Sequence, residues 1–400
     1  MTALALTLIA IPVALFAYAY LGYPAILWAW AALRPRARRQ HGAPAELAAW
    51  PAVSILLPAY NEERCIGATL ESLLRLDYPA DRRQILVVSD ASTDRTDEIV
   101  RGFADRGVEL LRLAKRSGKT AAENAAAPLL TGEIVVNTDA SIRILPGSLK
   151  PLIRAFDDPT VGVASGRDLS VGRVDAEATR GESGYVGYEM WLRSLETRVG
   201  SIVGASGCLY AIRRGLIDHA FPAPLSRDFA AALQAREAGY RAVSVDQALC
   251  LVPRTGSLRA EFRRKVRTMA RGLETLWFLR RMLDPFRYGR FAWMLASHKL
   301  CRWLVHLTLP LALVGLALLA PGSRLASVLL LLIAVVSALG VFALAWPDDR
   351  PLPRVLALPG FVVGVNVAGL AAWMKALRQE RSPIWEPTRR PEVESSGVGR

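Results

Sequence analysis

Cysteines are few and scattered in this sequence: Cys65, Cys208, Cys250 and Cys301 stand far apart, with no CxxC and no Cys/His pairing. A disulfide framework and a structural zinc site both need tighter spacing, so neither organises the chain. Histidine is as scarce, with four in 400 residues, and His219 is the only one between His41 and His298. A Ser/His/Asp nucleophile set has little to be built from. Charge is missing altogether from Met1 through Leu33. That run exceeds the roughly 20 residues that cross a bilayer as a helix. A cleaved signal peptide would start basic and carry a shorter apolar core, whereas Arg34, Arg36, Arg38 and Arg39 follow the run here. The pattern reads as a membrane anchor (1–33) with the next domain on the cytoplasmic side.

Hydrophobic residues make up 52% of the chain, above the soluble-globular norm, and three more uncharged runs come late: Trp303–Ser323, Leu325–Pro347 and Val355–Met374. Together they suggest about three C-terminal spans within 303–374. Asn366 and three glycines dilute the last run, which leaves a buried or re-entrant segment open. One anchor plus three spans would put the polar tail (375–400) outside, yet Lys375, Arg378, Arg381, Arg389 and Arg390 favour the inside. The sequence leaves that parity open.

Between anchor and late runs, 51–251 reads as an α/β domain. Strand-like runs (Val53–Leu57, Ile85–Val88, Val108–Leu113, Ile134–Val136, Val161–Ala164) alternate with helical stretches (Arg64–Leu76, Thr93–Ala104, Thr120–Leu130, Gly147–Phe156). Alternation of this kind predicts βαβ units and a mostly parallel, Rossmann-like sheet.

Ligands of open α/β sheets bind beyond the carboxyl ends of strands, so the polar residues directly after each apolar run are the candidates. Pro58-Ala59-Tyr60-Asn61-Glu62-Glu63, Ser89-Asp90-Ala91-Ser92-Thr93-Asp94 and Asn137-Thr138-Asp139-Ala140-Ser141 occupy those places. Asp90 and Asp139 are expected at adjacent strand ends, opening onto one crevice. Two carboxylates there suit a divalent cation with a phosphorylated ligand, or hydrogen bonds to a base or sugar. Against this stand plainer roles: Asp90 or Asp94 as the cap of a helix starting near Thr93, and Asp139 as a turn residue. Arg116-Ser117-Gly118-Lys119-Thr120 resembles the end of a P-loop, but Leu113 stands where its first glycine belongs. What remains is a loop entering a helix, where Lys119 is either a solvated lysine or a partner for an anion.

The order VSILLPAYNE, VVSDASTD, RSGKTAAEN, VVNTDAS, GASGCLYAIRR, SRDF resembles glycosyltransferase family 2, in its membrane-embedded branch similar to cellulose and hyaluronan synthases. The likeness covers about Pro51 to Gly272. It implies a GT-A fold that binds a nucleotide-sugar, with Ala59, Tyr60, Asn61, Glu62 and Asp90 at the nucleoside and Lys119 and Asn124 bordering the pocket. By the same resemblance Asp139 opens the DxD element that holds Mg²⁺ or Mn²⁺ against the diphosphate, with Ser141 at its second position. Gly204, Ser206 and Gly207 would shape the acceptor side, and Asp228 would be the general base. Such chemistry needs no covalent nucleophile: a cation-stabilised leaving diphosphate and a base at the acceptor oxygen invert the anomeric centre in one displacement.

Three departures matter. The second DxD acid is Ser141, Arg227 stands where an acid often precedes the base, and the QxxRW element of processive synthases is replaced by Glu261-Phe262-Arg263-Arg264-Lys265-Val266-Arg267-Thr268. They bear on metal affinity and on long-chain polymerisation more than on sugar transfer.

Lysine and arginine exceed aspartate and glutamate by 14, and over half of that excess lies in 254–290, with eleven basic residues against three acidic. Leu258, Phe262, Val266, Met269, Leu273, Leu276 and Trp277 recur at helical spacing, while Arg259, Arg263, Arg267 and Arg271 form a stripe. Like charges at i,i+4 repel, so the stripe calls for anions. Either membrane lipids supply them to a basic amphipathic interfacial helix, or the donor diphosphate does, and the family resemblance implies that Arg263, Arg264 and Arg267 would close over it. No interleaved aromatics of the kind that stack bases are present, so nucleic acid is not an expected partner.

The reading is a multi-pass protein of the cytoplasmic (inner) membrane. It would be an inverting glycosyltransferase that moves a sugar from a UDP- or GDP-sugar to a lipid-linked or polysaccharide acceptor, in cell-envelope synthesis. Its alternatives are a catalytically silent nucleotide-sugar-binding relative or partner subunit of a synthase, and a nucleotide-hydrolysing transporter, which Leu113 disfavours. A glycan conduit from so few spans would need a partner subunit or a homo-oligomer.

Overall fold

The computed structural model describes residues 1–33, 50–171, 180–217, 220–222, 225–253, 257–348, 350 and 352–380. Arg34, Arg36, Arg38, Arg39, His41, His219, Arg254 and the tail from Arg381 lie outside them. The described chain forms two compact units, one of residues 1–30, 180–187 and 257–380, the other of residues 31–33, 50–171 and 188–253.

The second unit is an α/β layer built on an eight-stranded sheet in the order β3-β2-β1-β4-β7-β6-β8-β5. Its strands are β1 (Val53–Ala59), β2 (Arg83–Ser89), β3 (Val108–Arg112), β4 (Ile134–Thr138), β5 (Arg143–Ile144), β6 (Val161–Val171), β7 (Leu209–Arg213) and β8 (Arg241–Pro253). Pairs β1/β2, β2/β3, β1/β4 and β6/β8 are parallel, while β7 runs antiparallel to β4 and β6, and β5 to β8. The mostly parallel sheet expected from alternating runs is present. Every residue of β1 and of β4 is buried, as a strand covered on both faces requires. Ile55, Leu57, Ile66, Leu70 and Val136 pack on one side, Leu56, Val135, Ala122 and Ala126 on the other.

The helices are shorter than their periodic stretches, running Ile66–Leu74, Thr96–Arg101, Lys119–Ala126 and Leu149–Arg154. Tight 3₁₀ turns follow the last two, at Ala127–Leu129 and Ala155–Asp157. One expectation changes with the topology. β2 and β4 are not neighbours, because β1 lies between them. The chain winds outward from β1 through β2 to β3 and returns to the far side of β1 as β4, so Asp90 and Asp139 flank the β1 end instead of sharing one strand border. A reversal of this kind opens a crevice at the carboxyl ends of β1 and β4. At the start of the Thr96–Arg101 helix it is Asp94, one residue before the N-cap Arg95, and not Asp90, that bonds the chain: its Oδ1 accepts the Thr96 N–H at 2.9 Å.

Gly132, just before β4, shows how closely the backbone is packed. A Cβ there would run into the Ser54 backbone nitrogen, which cannot swing aside. Gly132→Ala is expected to destabilise this unit by about 1–3 kcal/mol, read as a lower denaturation midpoint.

The first unit is helical. Thr2–Leu33, Arg290–Gly322, Arg324–Ala345 and Arg354–Leu377 are each long and apolar enough to cross a membrane. The second of them begins at Arg290, well before the uncharged run at Trp303, because polar residues inside it find partners. Arg302 lies over the rings of Tyr20 and Tyr185, at 4.9 and 5.4 Å, and donates to the Tyr185 hydroxyl at 3.2 Å. His306 Nδ1 meets Asn366 Oδ1 at 2.9 Å, so the residue that dilutes the last run is a helix-to-helix bond within an unbroken helix.

The basic stretch forms the Leu258–Phe278 helix, also of this unit. Its charge is met partly from within. Arg259 donates to the last carbonyls of the Arg324–Ala345 helix, Leu344 O at 2.8 Å and Ala345 O at 2.6 Å, where a cation complements the helix end. Glu261 pairs with Arg264 at 2.7 Å and Lys265 at 3.0 Å. Burial alone would raise the Glu261 carboxyl, but the Arg264 bond and the two cations outweigh it and hold it at about 2.

Candidate active site

The site lies at the β1/β4 ends of the α/β unit. Its first part is a loop fixed by Asp90. This carboxylate, 1% exposed at the end of β2, accepts the Ser117 N–H at 2.7 Å and the Gly118 N–H at 2.8 Å. Those are the residues that lead into the Lys119–Ala126 helix, so Asp90 sets where that helix starts. The Asp90 N–H in turn bonds Ala59 O at 2.9 Å, tying the β2 end to the β1 end.

Past β1, Tyr60 carries the Arg116 guanidinium over its ring at 3.9 Å. Asn61 adopts a left-handed φ of 53°, a conformation short polar side chains tolerate, and its Oδ1 accepts the Thr93 N–H at 2.8 Å. The Glu62 N–H donates to Thr96 Oγ1 at 2.8 Å, and its carboxylate accepts from the Cys65 thiol. The β1 and β2 loops are thus laced to each other.

Lys119, the first residue of its helix, reaches the β4 end and meets Asp139 Oδ1 at 2.5 Å. The Asp139–Ser141 turn is pinned from below: Thr69 Oγ1 donates to Ala140 O, and Arg143 donates to Thr69 Oγ1 and to Cys65 O. Ser141 is nearly buried, at 9% exposure.

The third part is the segment that carries Asp228. Asn124 turns its whole amide to it, accepting from the Phe221 N–H at 3.1 Å and from Arg227 at 2.7 Å, and donating to Phe221 O at 2.7 Å. Thr120 Oγ1 donates to Leu225 O at 3.1 Å. The lysine helix therefore holds the Asp228 segment as well as the Asp139 partner. Asp228 sits in the first turn of the Arg227–Glu237 helix, and its Oδ1 accepts from Ser226 Oγ at 2.6 Å. Its Oδ2 lies against Gly207, 2.8 Å from where a Cβ would be. Gly204 and Ser206 are buried beside it, and Ser206 Oγ donates to Asp168 at 2.7 Å.

Sequence reasoning missed two residues. Asp168, within β6, anchors Ser206. Glu123, one turn after Lys119, is 1% exposed with its charge interacting with Lys119, Arg227, Asp139 and Asp228. Burial raises its carboxyl above the ordinary range despite Lys119 and Arg227. Lys119 is raised as well, but by its neighbours: burial disfavours its charge, and Asp139 and Glu123 outweigh that. Glutamate at i+4 from the lysine, in an otherwise alanine-rich helix, was the available signal.

Arg263, Arg264 and Arg267 belong to the helical unit, where Arg264 is bonded to Glu261.

Among the described residues no three His, Cys, Asp or Glu side chains cluster as a metal cage. Asp139, with a hydroxyl two residues on, is a hard-oxygen donor set too small to hold an ion alone. It fits an ion that takes most of its ligands from phosphate and water, as Mg²⁺ does.

A curled, mostly parallel sheet with its crevice at the β1/β4 reversal, bordered by a lysine–aspartate pair and a second aspartate, is the GT-A fold of glycosyltransferases. Residues 54–221 match the family model "Glycosyl transferase family 2". A beta-monoglucosyldiacylglycerol synthase from Nostoc sp. is 29% identical over 173 residues, 42% of this chain and 37% of that protein. An N-acetylglucosaminyltransferase from Sinorhizobium fredii is 27% identical over 237 residues, 54% of this chain and 56% of that one. The chain thus spans less than two thirds of these curated relatives. A solved mannosyltransferase from Pyrobaculum calidifontis, PcManGT in complex with GDP-Man and Mn²⁺, is similar with a TM-score of 0.70 and 25% identity, covering 95% of this chain and 99% of that one.

Proposed function

We propose that this protein is a membrane-embedded inverting glycosyltransferase that transfers a sugar from a nucleoside-diphosphate sugar to a lipid-linked or glycan acceptor at the cytoplasmic membrane face. The carrying observation is the Lys119–Asp139 pair, held by the same helix that fixes the Asp228 segment. Lys119 would meet the negative charge that develops on the leaving diphosphate. Ala59, Tyr60, Asn61 and Glu62 would line the nucleoside side, with Asp90 acting through the loop it holds. Asp228 Oδ2, between Gly207 and the acceptor side, would take the acceptor hydroxyl proton as its oxygen attacks the anomeric carbon. Attack opposite the leaving group inverts that carbon.

Asp139 and Ser141 would hold Mg²⁺ or Mn²⁺, which when bound neutralises charge on the diphosphate. The named relatives act with glucosyl, N-acetylglucosaminyl or mannosyl groups, and the mannosyltransferase carries GDP-Man and Mn²⁺, which supports this class without choosing the sugar. Four helices of spanning length support a multi-pass membrane protein, in the branch similar to cellulose and hyaluronan synthases. The absent QxxRW element favours single transfer over polymerisation.

The test is nucleoside diphosphate release by the detergent-purified protein from UDP- and GDP-sugars, with Mg²⁺ or Mn²⁺ and membrane lipid extract as acceptor. Asp139→Ala is expected to lose the metal-stimulated part of that release. Donor binding with no release from any donor, with or without extract, would instead establish the silent-relative reading.

A further inference from the structure

Lys119 occupies Asp139 Oδ1, an oxygen that a divalent cation would need. A dication taking that carboxylate would repel the ammonium and favour its moving away, and both side chains are largely enclosed, at 18% and 21% exposure. A cation leaving its partner in such surroundings needs a second anion within reach, or the departure carries the full cost of an unpaired buried charge. Glu123 is placed to be that anion. It lies four residues on, which puts it on the same face of the Lys119–Ala126 helix. Its side chain is 1% exposed, and Oε2 makes no hydrogen bond among the described residues. Arg227 Nε stands 4.0 Å from that oxygen, while the Arg227 NH1 is committed to Asn124 at 2.7 Å.

We propose that Glu123 is a positioning residue that receives the Lys119 ammonium when Asp139 is given up to a divalent cation. The inference rests on the metal assignment above. Lys119 would swing about its own Cα, from Asp139 toward Glu123, without leaving the crevice. Glu123 is one helical turn from Lys119 and its charge interacts with Asp139, so the ammonium stays in the crevice that would take the diphosphate. Burial holds Glu123 toward its neutral form while Lys119 is on Asp139, and the arriving ammonium would favour the carboxylate. The buried glutamate thus supplies a counter-charge to whichever arrangement needs it. Asp228, whose charge also reaches Lys119 and Glu123, already has its Oδ1 bonded to Ser226.

The experiment titrates Mn²⁺ into the full-length protein in detergent, with saturating UDP and separately GDP, following free Mn²⁺ by its electron paramagnetic resonance signal. Glu123→Gln keeps the shape and removes the charge, and is expected to weaken Mn²⁺ binding about fivefold or more. Lys119→Met, which frees Asp139, should tighten it, and in that background Glu123→Gln should change affinity by less than about twofold. A merely structural glutamate would show the same loss with or without Lys119, which would overturn the proposal. So would parent-like Mn²⁺ affinity in Glu123→Gln while Asp139→Ala loses binding, an outcome that leaves the metal assignment standing. Equal binding by parent and Asp139→Ala would remove that assignment and this inference together.

Discussion

Asp228→Asn is expected to lower sugar transfer by about 10²- to 10⁴-fold while donor affinity stays at the parent level. The amide keeps the carboxylate's shape, and its oxygen can still accept from Ser226 Oγ, now 2.6 Å from Oδ1. What it loses is the capacity to take a proton. Donor contacts are assigned to other elements, the β1 loop, Lys119 and Asp139, so binding and chemistry should separate in this variant. Equilibrium donor binding and single-turnover release, measured side by side, make the comparison. Parent-like release would take Asp228 out of the base role, whereas a parallel loss of binding would make it a donor ligand.

Much of the α/β unit is legible in the sequence because its central strands are apolar runs flanked by turn residues. Val53–Leu57 and Ile134–Val136 announce β1 and β4 directly, and reading the residues just past them finds Tyr60, Asn61 and Asp139. Strand order is another matter. Periodicity carries no information about which strands are neighbours, so the β1 strand between Asp90 and Asp139 was invisible. Burial is similarly hidden. Glu123 in an alanine-rich helix reads as a solvated charge, and only packing against β-strand and Arg227 segments makes it an interior acid. Asn124 was expected at the donor pocket, yet its amide is spent on Phe221 and Arg227, contacts about a hundred positions away in the chain. In the helical unit the same blindness acts in reverse. Arg302 ended an uncharged run in the sequence, but two tyrosines accommodate it within the helix that begins at Arg290.

Gly207→Ala should cost about 10²-fold in transfer and little in stability. The added methyl would stand 2.8 Å from Asp228 Oδ2 and 3.5 Å from its Cγ, and no backbone atom is among the near contacts. The carboxylate therefore yields, unlike the Ser54 backbone that meets a methyl at Gly132, and the fold survives. The yielding atom is the one assigned to the acceptor proton. Oδ1 is tethered to Ser226 and the Asp228 backbone lies in the first turn of a helix, so the side chain can only rotate away from Gly207. A displacement on the order of 1 Å is enough to take a base out of line with an attacking hydroxyl. Turnover number, donor affinity and denaturation midpoint should be measured together. A fall in turnover alone is the expected pattern. Parent-like turnover would mean that Oδ2 does no work against Gly207, and a lowered midpoint with proportionate loss of activity would reduce this glycine to packing.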